Sequence, residues 1–240
     1  LEPVDGFNGN LTLMGAMEVF AGISPSAYLA AEASTRLFGR AVARWGSEDL
    51  TQRYLAPILE GKGIGALALS EGAMNIENDP LETAGRKQGS AVIVSGAKQY
   101  VINAPIADFI AAAGTFEGQP ALFVIEKDNP GLAVEPPLQT PGYQGASISA
   151  ITLQRCEIAE DRVLFVEAGE NMPARLRMWE NQILLGASLG IAKTAFDTAR
   201  DYAKSHQSGG KPIIAYQEVG FKLAEMLTLM QTAQYLAYRT

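Results

Sequence analysis

The chain has 240 residues, 48% of them hydrophobic, and a formal net charge of −7. That length can bury a substantial core, and an acidic chain without a Lys/Arg stripe to neutralise phosphates excludes a nucleic-acid role. A single cysteine, Cys156, excludes an internal disulfide framework and a multi-cysteine metal site. It reads as a small buried apolar residue in a protein of a reducing compartment, and no metal is expected.

Leu1-Glu2-Pro3-Val4-Asp5 carries no basic, apolar signal-peptide pattern, and no apolar run is long enough to span a bilayer, so a cytoplasmic protein without a membrane span is expected. A helical pattern begins at Leu11 and breaks at Gly22-Ile23-Ser24-Pro25, where Ser24 can cap and Pro25 can open a second helix running to about Trp45. Ser47, followed by Glu48 and Asp49, offers the next cap, for a helix that stops at Gly61.

The texture then changes. Short alternating or β-branched runs follow at Ala66–Leu69, Ala91–Ser95, Tyr100–Asn103, Phe109–Ala113, Ala121–Glu126 and Ile148–Leu153, separated by turn formers such as Gly89, Gly96, Gly118 and Asn129-Pro130-Gly131. Strands at this spacing suggest an antiparallel sandwich or small barrel. The helical period returns from about Pro173 to Ser205, breaks at Ser208-Gly209-Gly210, and resumes from about Ala215 to Arg239. The fold class is therefore α+β: a helical segment (1–63), a central antiparallel β-barrel or sandwich (64–165) and a C-terminal helical bundle (166–240). A Walker A loop, a GxGxxG turn and an HExxH motif are all missing, and the lone His206 completes no recognisable triad.

The stretch from Trp179 to Ala192 reads as the first half of a long buried helix, with Ile183, Leu184, Ala187 and Ile191 at three- and four-residue spacing. Glu180 projects from its start. Burial disfavours the charged form of a carboxylate, so Glu180 is a candidate general base, the alternative being an acidic residue that only complements the helix dipole. Gly186 and Gly190 leave a groove that can admit another helix backbone, a flat ligand or a bulky acyl group.

Several segments, in order, resemble the acyl-CoA dehydrogenases. Gly46-Ser47-Glu48-Asp49-Leu50 through Gly61 resembles the family's helix and turn before its β domain, and Ala68-Leu69-Ser70-Glu71 its flavin-facing strand. Val94-Ser95-Gly96-Ala97-Lys98-Gln99-Tyr100-Val101-Ile102-Asn103 is similar to its G-x-K-x-[WY]-I-[ST]-N segment, and Asn129-Pro130-Gly131-Leu132 to its P-G-[LIV] turn. Gly190-Ile191-Ala192, Tyr202-Ala203, Gly210-Lys211-Pro212-Ile213, Gln217 and Lys222-Leu223-Ala224-Glu225-Met226 follow its C-terminal pattern.

The resemblance implies an FAD contacted by Leu67, Leu69, Ser70, Tyr100, Ile102, His206 and Gln217, in a homotetramer or dimer where the flavin also meets a neighbouring subunit. It implies an acyl-CoA thioester as substrate, oxidised to the 2-enoyl-CoA with Glu180 as the α-proton base, and an electron-transferring flavoprotein as partner. The family's other base position would lie beyond Thr240, so an internal portion of a longer protein is expected. Four positions depart from the pattern: Asn181 for an arginine, Ile102 for Ser/Thr, and His206 and Gly209 for the Arg and Phe before Gly-Lys. Gly72 to Asp79 also departs from the family's Pro and Gly-Ser-Asp loop. The alternative these raise is a flavin-poor, non-catalytic subunit, heteromeric with an active homologue.

Overall fold

In the computed structural model the described residues are 7–72, 80–166 and 169–239, with side chains from Leu11 onward. The departing loop Gly72–Asp79 lies, after its first residue, outside them. Residue contacts divide the chain into two compact units, one of residues 29–181, the other of residues up to 28 together with those from 182 on.

In the first unit, helix α2 (Pro25–Glu32, entering the unit at Leu29) runs through a π-helical stretch, Ala33–Gly39, into α3 (Arg40–Trp45). The short helix α4 (Glu48–Leu50) is capped as its sequence suggests, Ser47 Oγ accepting from Leu50 N at 3.3 Å, and continues through a second π-helical stretch, Thr51–Leu55, into α5 (Ala56–Leu59). Among the described residues eight strands follow: β1 (Gly65–Ala68), β2 (Ala84–Gln88), β3 (Ala91–Ile102), β4 (Phe109–Phe116), β5 (Gln119–Glu126), β6 (Leu132–Val134), β7 (Ile148–Ala159) and β8 (Val163–Phe165). They form one sheet in which seven run in the order β6-β7-β3-β2-β4-β5-β8 and β1 pairs with β4 off this path, an open arrangement among the described residues and not a closed barrel.

The sheet is mainly antiparallel, with two parallel pairings on one edge of β4. There β1 pairs with the first half of β4 and β2 with its end. Such close neighbours need small side chains, which explains the run Ala111-Ala112-Ala113-Gly114: a Cβ on Gly114 would lie 2.4 Å from the Thr83 carbonyl oxygen. Cys156 is buried in the sheet core, opposite Val94, where burial pushes its thiol up to about 11.

The expected strands Ala91–Ser95 and Tyr100–Asn103 are a single strand, β3. Its register with β7 shifts between Val94 and Gly96 and again between Lys98 and Val101, so the alternation is interrupted without the strand ending. The second shift places Tyr100 at φ +55°, with its side chain 56% exposed.

In the second unit, α1 (Phe7–Ile23) is followed by the start of α2, where Ser24 Oγ accepts from Ala27 N at 3.4 Å. The remainder of helix α6 (Met172–Ser205, entering this unit at Gln182) leads to a hairpin, β9 (Gln207–Ser208) and β10 (Lys211–Pro212), and then to α7 (Gln217–Ala237). The Gly186/Gly190 groove is filled by α1. A Cβ on Gly190 would lie 2.4 Å from Glu18 O and 2.5 Å from Gly22 N, and one on Gly186 would meet Tyr28 Oη at 2.5 Å. Of the three occupants the sequence allowed, a helix backbone is the one found. Tyr28 is fully buried and donates to the Ile183 carbonyl at 2.9 Å, adding a polar tie to this packing. No helix among the described residues is long and apolar enough to cross a membrane.

Candidate functional site

Glu180 stands on the first turns of α6, which are anchored within the first unit. Asn171 Oδ1 accepts from Ala174 N at 3.1 Å, a side-chain cap on the helix start. Just before it, the Glu170 carboxylate accepts from Arg175 at 2.6 Å, Arg44 at 3.1 Å and the Trp45 indole at 3.1 Å. Burial works to raise the Glu170 carboxyl, but these donors outweigh it and hold the group below the usual carboxylate range. Trp179, immediately before Glu180, is 3% exposed, with its ring 5.4 Å from that of Trp45 and the Arg40 guanidinium 4.9 Å above it. The residue next to Glu180 is thus held from two sides.

The Glu180 side chain itself is 28% exposed, and its contact with Arg177 Nε is 3.8 Å, an ion pair too long for a hydrogen bond. Burial raises its carboxyl above the ordinary glutamate value, and the Arg177 charge pulls partly the other way. Burial prevails and leaves a carboxylate of increased proton affinity, without a strong donor among the described residues. Those are the properties a general base needs.

A second cluster lies where β1 ends beside β3. Leu67 and Leu69 are 5% and 2% exposed, so what they can offer a ligand is backbone, and the Leu69 carbonyl accepts from Lys98 Nζ at 3.1 Å. Ser70 is half-buried, and its carbonyl accepts from Gln99 N at 2.9 Å, which brings Ser70 and the Tyr100 segment together. Ile102 is half-buried opposite Ile148 on β7. At the strand's end Asn103 has φ +70° and is fully buried, its amide Nδ2 donating to Ala30 O at 2.7 Å and Gly65 O at 3.3 Å. The last residue of the motif must therefore tolerate the left-handed region and carry an amide donor, which asparagine does.

His206 and Gln217 lie in the second unit, both exposed. The His206 ring stacks on Tyr202 at 4.9 Å. Gly209 and Gly210, at φ +59° and +79°, form the two-residue turn between β9 and β10. Positive φ at both central positions calls for glycine, and Tyr216 closes over the turn, donating to Ser208 O at 2.8 Å. The glycine at 209 is thus explained by the turn it makes.

Sequence reasoning missed one feature of this region, a fully buried Lys98 whose ammonium lies 2.6 Å from Glu71 Oε1. The signal was available: Lys98 is a charge in an otherwise apolar inward series of β3, beginning Val92 and Val94, and only a buried partner makes that tolerable.

Residues 177–240 match the family model described as acyl-CoA dehydrogenase, C-terminal domain. The chain is 30% identical over 199 residues to a benzylmalonyl-CoA dehydrogenase of Aromatoleum aromaticum, a match covering 81% of this chain and 52% of that one. Among solved structures, the prolyl acyl carrier protein oxidase AnaB is 27% identical with a TM-score of 0.85, covering 96% of this chain and 63% of its own. An FAD complex of PigA has the same fold, with a TM-score of 0.85 at 23% identity, over 96% of this chain and 62% of that one. Residues 177–240 thus carry the pattern of the acyl-CoA dehydrogenase C-terminal domain, and the chain is similar in sequence to curated acyl-CoA dehydrogenases. It spans about half the length of the curated relatives it matches first.

Proposed function

We propose that the protein is an FAD-dependent acyl-CoA dehydrogenase that removes the α-proton of an acyl-CoA thioester through Glu180, giving the 2-enoyl-CoA. The observation that carries this is the state of Glu180: held beside the clamped Trp179, half-buried, raised in proton affinity, and paired among the described residues only at 3.8 Å with Arg177. An α-proton beside a thioester is weakly acidic, so a positioned base of increased proton affinity is what the step requires. FAD, when bound, supplies the acceptor for the β-hydrogen as hydride.

The edge around Ser70 and Tyr100 fits a flavin. Tyr100 is kept in a left-handed conformation with its ring exposed, a flat aromatic surface, and Ser70 carries a hydroxyl one strand away. We assign these two, with backbone of Leu67 and Leu69 and the side chain of Ile102, to FAD. His206 and Gln217 are assigned to FAD of a neighbouring copy in a dimer or tetramer. The name of the PigA complex states that FAD binds a protein of this fold.

An electron-transferring flavoprotein as the electron acceptor, a cytoplasmic setting, and functional divisions at 1–63, 64–165 and 166–240 belong to the same proposal. The flavin-poor partner subunit gains no specific support from the site, since Gly209 serves its own turn.

The pH profile tests Glu180. A base works ionised, so activity is present above its pKa and is lost as pH falls through it; burial places that loss above the ordinary glutamate value. Arg177→Met removes the charge that lowers the pKa, and is expected to move the acid limb of kcat/KM to higher pH. An acid limb that stays in place in Arg177→Met contradicts the assignment.

A further inference from the structure

We propose that the buried pair Lys98–Glu71 is a positioning device that sets the Ser70–Tyr100 edge by tying together three separate stretches of chain. The Glu71 carboxylate is 7% exposed in the residue as a whole and accepts four hydrogen bonds: from Lys98 Nζ at 2.6 Å, Thr83 Oγ1 at 2.6 Å, Thr83 N at 3.0 Å and Glu82 N at 2.6 Å. Lys98 is fully buried and also donates to Leu69 O at 3.1 Å. The end of β1, the entry to β2 and the middle of β3 therefore meet on one carboxylate. The chain leaves this point after Glu71 and returns to it at Glu82, so the pair closes the base of the segment between them.

A buried ion pair is a weak source of stability, because desolvating two charges offsets their attraction, and apolar residues of similar shape often serve as well. What apolar residues do not supply is a directional requirement. Burial draws the Lys98 ammonium below the usual lysine range against the raising pull of Glu71. At Glu71 burial acts upward, but the Lys98, Thr83 and Glu82 donors prevail and leave its carboxyl low. Charges so enclosed hold one geometry. That geometry matters because of its neighbours: Ser70 immediately precedes Glu71, Gln99 N bonds the Ser70 carbonyl, and the bulge presenting Tyr100 begins at Lys98. Neither charge needs to touch a ligand for the edge to depend on both.

The link to flavin rests on the function proposed above, whereas the clamp itself does not, and the test separates them. The double variant Glu71→Leu/Lys98→Met replaces the pair by apolar side chains. It is expected to melt within a few degrees of the parent, to exchange the amide protons of Glu82 and Thr83 about 10-fold faster or more, and to bind FAD about 10-fold more weakly. A folded double variant with unchanged amide exchange overturns the clamp, and one with faster exchange but unchanged FAD affinity overturns its role in positioning. Thr83→Val, which removes one of the donors and keeps the shape, carries the same test if the double variant does not fold. It is expected to weaken FAD binding about 3-fold, and unchanged affinity overturns the proposal. If the parent protein takes up no FAD, the flavin reading fails while exchange at Glu82 and Thr83 still decides the clamp.

Discussion

Glu180→Gln is expected to leave FAD binding and the visible flavin spectrum as they are while slowing reduction by an acyl-CoA by about 10²- to 10⁴-fold, the usual contribution of a positioned base. The amide keeps nearly the same shape, so the packing of Trp179 against Trp45 and Arg40 has no reason to change. What disappears is the group that takes the proton. Stopped-flow absorbance separates the two readouts in one experiment. Reduction at the parent rate would move the base elsewhere, and loss of flavin would show Glu180 to be a structural residue.

Gly190→Leu is expected to destabilise the protein by about 3 kcal/mol or more, read as a fall in the denaturant midpoint. The first added atom already lies 2.4 Å from Glu18 O and 2.5 Å from Gly22 N, both backbone, so no rotamer relieves it and α1 must move away from α6. Gly186→Ala meets side chains instead, Tyr28 Oη at 2.5 Å and Met17 Cε at 2.8 Å, and a smaller loss of about 1–2 kcal/mol is expected. Near-equal stability of the Gly190 variant and the parent would contradict this close approach.

These glycines show where sequence alone stops. The spacing of Ile183, Leu184, Ala187 and Ile191 located the helix, and two glycines on it signalled a close neighbour, but one sequence does not say whether that neighbour is a ligand or a helix. Only the pairing of α1 with α6 decides, and that is a contact between residues about 170 positions apart, as in the Thr194 hydroxyl bond to Gly22 O. Local signals fared better: Ser24 and Ser47 cap the helices they precede, because a cap depends on residues three apart.

The strands were legible where apolar residues alternated or ran together, and obscure where they did neither. The sequence of β2, Ala84-Gly85-Arg86-Lys87-Gln88, carries no apolar alternation and is a strand through its pairing with β3 and β4. Gly96 read as a turn because glycine punctuates loops, yet it sits within β3, where a Cβ would lie 2.3 Å from Thr83 Oγ1. The parallel pairings along β4 leave no local mark either.

Of the residues proposed for the site, Glu180 was named from the start of a long helix and Ser70 and Tyr100 from the family resemblance, whereas the carboxylates packed beside them were not. Glu170, which joins Arg44 and Trp45 to the nearby Arg175, and Glu71, which joins Lys98 and Thr83, act mainly through partners that the local sequence does not pair with them. Each reads in isolation as one more surface carboxylate, and only burial reveals the role.

The proposed function stands or falls with Glu180 acting as a base against a bound flavin. The most direct measurement is the visible absorption spectrum of the purified protein before and after anaerobic addition of an acyl-CoA. A yellow protein whose flavin band bleaches on addition is expected; a colourless protein that refuses added FAD would contradict the proposed function.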